Sequence, residues 1–329
     1  MIDETDQSIG AYFGFFQRKN DQTPTLSLPK IQQQLASGLQ WSSIDNRLQA
    51  IEDMLRPPEH LPNTPRQAAG PGLTERERLD RIKQARIAVG RDELPTIYLS
   101  ASGDGSCEFP TLFTSRHERI VRLIENPPQL RPQGFGVYAD NSSQIMKGAL
   151  RRNMIVGYRL LELWRDGLVI FMAPGDEDFL GWSTSNRNRP IRINNFVLAG
   201  ITLTFCWLMK FVFAEANPKP PTIKLTLGFE GLTRPIGAAI LSDVPDGTMW
   251  PGNPKSASDS RLEVFQLADL LDYDAERIAY SLLEDLYHWF GFESAVIPYV
   301  DRTGETPRLS AQKIIGGPLP ESLPALEFP

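Results

Sequence analysis

The sequence predicts an α+β protein: a mainly antiparallel sheet packed against a buried apolar helix, with a small helical N-terminal region. Three observations predict it. Tyr158-Arg-Leu-Leu-Glu-Leu-Trp164 and Leu168-Val-Ile-Phe-Met-Ala173 are apolar runs joined by Arg165-Asp166-Gly167. Asp-Gly tolerates the positive φ of a tight turn, so the two runs read as a hairpin. Val197 to Ala214 is nearly all apolar, with Lys210 its only charge. A helix apolar on every face belongs inside a larger domain. Thr222 to Phe229 sets Ile223, Leu225, Leu227 and Phe229 at alternate positions, the pattern of a half-buried strand.

Before these elements the chain is weakly patterned. Ile9 to Phe16 carries Tyr12, Phe13, Phe15 and Phe16. Leu28–Ala36 and Ser42–Leu55 read as helices around Gly38, the second with Ile44, Leu48, Ile51 and Leu55 at helical spacing. Pro57, Pro58, Pro62, Pro65 and Pro71 mark a linker. Thr74-Glu-Arg-Glu77 is a capping box, in which hydroxyl and carboxylate satisfy amides at a helix start. Its helix turns Leu79, Ile82 and Val89 inward and ends at Gly90. Pro95–Ala101 reads as a strand, and Ser115-Arg-His-Glu118 as a second capping box, opening a helix to Glu125 that Pro127-Pro128 stops.

After the hairpin, Phe179–Ser183 reads as a third strand. The apolar helix, expected over Phe196–Ala214, has Asn194 and Asn195 as N-cap candidates and Asn217-Pro218 beyond its end. Pro235–Ser242 is a further candidate strand. Asp274–Phe290 is a helix with Ala275, Ile278, Ala279, Leu282, Leu283, Leu286 and Phe290 on one face, capped by Asp272 or Asp274 and followed by Gly291. The expected division is a helical region and linker over 1–72, a core domain over 73–305, and a Pro-rich extended tail over 306–329.

Composition bounds the setting. The chain has 329 residues, net charge −6, and two cysteines, Cys107 and Cys206. A disulfide framework does not fit, and a reducing, cytoplasmic setting without a signal peptide or membrane partner is the expectation.

Candidates for chemistry are sparse. His117 and Glu118 are adjacent on a helix start, so they point apart. Asp176-Glu177-Asp178 lacks the spaced ladder of a calcium loop. Gly103-Asp-Gly105-Ser106 is neither a phosphate loop nor a dinucleotide fingerprint. The three histidines, His60, His117 and His288, show no zinc spacing with cysteine. No catalytic residue, cofactor or metal is expected from these patterns.

Charge is distributed unevenly. Residues 116–165 hold nine bases and four acids; residues 241–305 hold thirteen acids and four bases. Arg116, Arg119 and Arg122 recur every three residues, and with Arg151 and Arg152 they are the nucleic-acid-binding candidates, since a basic stripe neutralises phosphates. The same arginines could instead pair with the late acids. Leu35–Leu48 is loosely of helix-turn-helix form, without a basic recognition face.

Four stretches resemble the part downstream of the AlbA-type DNA-binding module in bacterial Schlafen-related proteins. They are Glu125-Asn-Pro-Pro-Gln-Leu-Arg-Pro-Gln-Gly-Phe135, Leu161-Glu-Leu-Trp-Arg-Asp-Gly-Leu168, Asp178-Phe-Leu-Gly-Trp182 and Trp289-Phe-Gly-Phe292. The resemblance spans roughly 96–301 and includes no catalytic motif. The N-terminal third lacks the acidic-Lys strand and Gly-Gly turn of that module. The resemblance therefore implies an accessory, sensing or docking domain.

The function expected is a non-enzymatic cytoplasmic binding or regulatory protein that recognises a protein or a nucleic acid. The alternatives are an enzyme whose site converges only in three dimensions, and a DNA binder using the N-terminal hairpin.

Overall fold

The structure, a computed structural model, describes residues 73–90, 94–105, 107–109, 112, 118–128, 130, 135, 143–146, 150–155, 159–175, 179–180, 190–235, 237–244 and 252–316. The chain divides into two units, Met1–Ala68 and Ala69–Pro329. All described residues lie in the second. The expected helices at 28–36 and 42–55, the aromatic cluster at 9–16 and the helix-turn-helix-like stretch lie outside them, as do Ser115, Arg116, His117 and 176–178.

The elements run α1 Glu75–Val89, β1 Thr96–Gly103, α2 Glu118–Glu125, β2 Gln144–Met146, β3 Leu150–Ile155, β4 Arg159–Trp164 and β5 Leu168–Pro174. Then come α3 Asn195–Ala214, β6 Thr222–Glu230, β7 Ile240–Leu241, β8 Lys255–Ser256, β9 Arg261–Asp269, α4 Ala275–Trp289, β10 Val300–Asp301, β11 Arg308–Leu309 and α5 Ala311–Ile315. Seven strands form one antiparallel sheet in the order β2-β3-β4-β5-β1-β6-β9.

The hairpin forms at Gly167, whose φ of 86° needs the freedom glycine has. Leu163 faces Val169 across it. Thr74 and Glu77 close the capping box on α1, and Gly90 ends that helix in the left-handed conformation. Asn194 caps α3 by accepting from the Val197 amide at 3.0 Å. Asp274 caps α4 by accepting from Arg277 at 3.1 Å.

One sheet face carries the main core. Ile97, Leu99, Val169, Phe171, Ile223, Leu225, Leu227 and Phe229 point toward α3 and α4 and are fully buried. α3 is the centre of that core. It is long and apolar enough to cross a membrane by length and composition, and 83% of its most apolar window is buried within the protein. Its buried hydroxyls are satisfied inside the helix, Thr202 donating to Leu198 O and Thr204 to Gly200 O, each at 2.8 Å.

The other face is covered by α1 alone among the described helices. Ile82, Ala85 and Val89 pack on Tyr98, Leu160, Leu168, Ile170 and Met172. That cover lies over β4, β5 and β1. Among the described residues, the same face over β6 and β9 is polar or open.

Several expectations need adjustment. Phe179 and Leu180 form a turn where a third strand was expected, and among the described residues of 235–242 only Ile240–Leu241 is strand. Residues 308–315 are not an extended tail. They form β11 and α5, with Leu309 and Ile314 each 1% exposed, because Leu309 and Ile314 supply apolar surface to the main core. In α1, Leu79 is only half-buried, and the charged Arg78 takes the inward place.

Candidate interaction surface

Helix α1 is fastened to the sheet by arginines as well as by its apolar stripe. Arg81 makes a two-pronged ion pair with Asp166 of the hairpin, at 2.7 and 2.6 Å. Arg78, 2% exposed, reaches along the same face of the sheet to its edge strand. It donates to Glu75 at 3.0 and 2.6 Å, to Ser100 Oγ at 3.3 Å and to Glu263 at 2.6 Å.

Glu263 also accepts from the Tyr98 hydroxyl. Tyr98, Gly228 and Glu263 are level across β1, β6 and β9. The tyrosine ring passes over Gly228 to reach the carboxylate. A Cβ at Gly228 would collide with ring atoms of Tyr98.

Burial and the neighbouring Glu263 charge push the Tyr98 phenol well above its ordinary value. A phenol that holds its proton so firmly is a poor general base. The cluster works as a fastening between α1, β1 and β9.

Beside it lies a cleft of about 480 Å³ between α1 and the sheet, lined by Asp80, Lys83, Arg86, Ile87, Glu230 and Arg261 among others. Arg86 and Glu230 form an ion pair across it. A second cleft, about 290 Å³, lies between α3 and α4. There Trp207 donates to Glu276 at 3.3 Å, and Arg308 pairs with Asp274 at 3.4 Å.

The predicted arginines fall in different settings. Arg119 on α2 is 57% exposed and pairs with Glu215 at the end of α3, at 3.1 Å. Arg122 lies one turn on, at the end of α2. Arg151 donates to Leu112 O at 3.3 Å and to Ser143 Oγ at 3.0 Å. Arg152 is 14% exposed and pairs with Glu162, itself 1% exposed. Arg151 and Arg152 neighbour each other in β3 and, by strand alternation, face opposite sides. The acid that meets Arg119 is thus on α3, before the acidic region at 241–305. Arg116 lies outside the described residues.

The other candidates carry little chemistry. His288 exchanges a hydrogen bond with Ser294 at 2.9 Å, at the surface. Cys107 and Cys206 are both buried, and burial pushes the Cys107 thiol up to about 12. Among the described residues, no three His, Cys, Asp or Glu side chains gather as metal ligands.

The unexpected feature is β9, a nine-residue strand at the edge of the sheet. Leu262 and Ala268 face the core, and Gln266 on that side donates to Asp285 of α4 at 2.7 Å. The opposite side carries Arg261, Glu263, Phe265, Leu267 and Asp269. Phe265 is 52% exposed, Leu267 65%, and Leu271 just beyond the strand 98%. Lys224 lies 4.8 Å over the Phe265 ring. Ile87, 64% exposed, adds a further apolar group on α1.

The open edge has a defined polarity. Leu270 donates to Pro221 O at 3.0 Å, continuing the β6–β9 ladder by one residue. In an antiparallel ladder, alternate residues point their backbone groups to the same neighbour. The even-numbered residues of β9 therefore bond to β6. The N–H and C=O groups of Arg261, Glu263, Phe265, Leu267 and Asp269 point to the open edge.

Sequence reading missed β9 because its alternation is blurred. Gln266 interrupts the inward series, and Phe265 and Leu267 make the outward one apolar. The period-two pattern in Leu262, Val264 and Ala268 was the available signal.

The described residues define an α+β domain in which, among themselves, one sheet face is sealed and the other is half-open beside an edge strand paired on one side. No protein-family model, curated protein or solved structure matches the chain.

Proposed function

We propose that this chain is a non-enzymatic protein-binding module, an accessory or docking domain acting in the cytoplasm, which receives a protein partner along β9. The observation that carries this reading is a strand edge left unpaired among the described residues, combined with two large exposed apolar side chains, Phe265 and Leu267. An edge strand presents ready-made backbone donors and acceptors, and partners add a strand there. Natural edges are commonly blunted by proline or by charge in mid-strand. The central run Val264-Phe265-Gln266-Leu267-Ala268 contains neither.

The setting of the arginines favours a protein over a nucleic acid. Arg152 is held in a buried pair, Arg151 bonds to a carbonyl and a hydroxyl, and Arg119 meets Glu215. The polar cluster at Tyr98 favours a binder over an enzyme, because its groups are engaged in joining α1 to β9.

Purification from the native host tests the reading. The expected result is a bound protein lost from the Phe265→Lys, Leu267→Lys double variant. Recovery of nucleic acid that the double variant retains, and that Arg119→Ala with Arg122→Ala loses with a reduced salt slope, would replace it by the nucleic-acid reading.

A further inference from the structure

The geometry points to a second copy of this chain as the occupant of the β9 edge, paired antiparallel about a two-fold axis through Phe265. The inference rests on the reading of β9 as a docking edge.

An isologous contact must be self-complementary. The residues whose backbone faces the edge are Arg261, Glu263, Phe265, Leu267 and Asp269. Centring the axis on Phe265 sets Phe265 against its own copy and Arg261 against Asp269 of the other copy, twice over. It sets Glu263 against Leu267, where Glu263 is already held by Arg78 and Tyr98. The Phe265 pair is then a hydrogen-bonded one, as the edge polarity requires.

No other register brings Arg261 and Asp269 together. An axis at Glu263 opposes like charges, and one at Gln266 sets Glu263 against Asp269. Opposite charges and facing aromatics are both favourable cross-strand pairs.

The charged ends are available. Arg261 is 52% exposed, with contacts of 3.9 Å to Glu230 and 3.5 Å to Glu263. Asp269 uses one carboxylate oxygen, Oδ1, to accept from Leu271 at 2.8 Å. Its other oxygen has no partner among the described residues.

Sedimentation velocity over a concentration series tests this. The full chain is expected to dimerise. Arg261→Asp and Asp269→Arg should each weaken the dimer by about tenfold, since two cross-strand pairs turn repulsive at once. Combining them should restore it. A cysteine scan gives an independent reading, because Cys107 and Cys206 are buried. Under mild oxidation, Phe265→Cys should link two chains, its Cα separation in such a pair being about 5.5 Å. Leu267→Cys should not, since that residue lies roughly 14 Å from its copy. A chain that is monomeric at every concentration overturns the inference. So does a dimer indifferent to the charge changes, or one linked equally well through Leu267→Cys. If the monomer still captures a different host protein through Phe265 and Leu267, self-pairing falls while the docking reading stands.

Discussion

Tyr98 reaches Glu263 on a strand that is not its neighbour, through the gap left by Gly228 on the strand between them. The two residues belong to β1 and β9, with β6 between them. This one bond, with the Arg78 pair beside it, ties the edge strand to the middle of the sheet and to helix α1.

Gly228→Ala is expected to destabilise the domain by about 1–3 kcal/mol, because the new Cβ has no place except inside the Tyr98 ring. In a Tyr98→Ala background the same change should cost much less. Denaturant titration of the four proteins checks this; additive effects would mean that the ring is displaced without strain.

Arg78→Ala removes the buried cation that serves Glu75, Ser100 and Glu263 together. Breaking a buried pair from one side costs on the order of 3 kcal/mol. Arg78→Lys should recover little of it, since an ammonium lacks the forked donors that serve all three. Thermal and denaturant midpoints test both variants, and a lysine variant equal to the wild type would contradict the account.

Much of this was legible in the sequence. The hairpin at Asp166-Gly167, the capping box at Thr74 and the cap at Asp274 are local signals, because turn and cap chemistry is set by neighbours in the chain. α3 was legible from its nearly unbroken apolar run, and α4 from periodicity, which reports a buried face directly. The fastening at Tyr98 was not. Tyr98 and Glu263 lie 165 residues apart, and nothing local says that the strand glycine Gly228 makes room for a ring or distinguishes Arg78 from a surface arginine. The β9 edge was hidden because an apolar residue on an open face looks in sequence like one in a core.

Leu283 sits on the buried side of α4, 1% exposed. Leu283→Asp places an unpaired carboxylate there and should cost several kcal/mol, roughly a domain's whole margin. Unchanged thermal and denaturant midpoints would contradict the placement of that face.

The Arg152–Glu162 pair has a pH signature. Burial raises the Glu162 carboxyl above its ordinary value of 4.5, against the opposing pull of Arg152. The folded protein therefore holds this proton to higher pH than the unfolded chain. The group's contribution is fully present below the unfolded value and is lost as pH rises through the folded one. Glu162→Gln removes that dependence. Relative to wild type, the variant should gain stability as pH rises from about 4 toward neutrality. Denaturation curves across that range measure the difference, and a difference independent of pH would contradict the raised carboxyl.

Site-resolved amide exchange along β9 tests the docking edge most directly. In the unbound chain, the amides of Leu262, Val264, Gln266 and Ala268 should exchange slowly, and those of Glu263, Phe265 and Leu267 quickly. With the partner bound, whether a second copy or another protein, the alternation should vanish as the odd-numbered amides become protected. Fast exchange at Phe265 and Leu267 in the bound state would contradict the account.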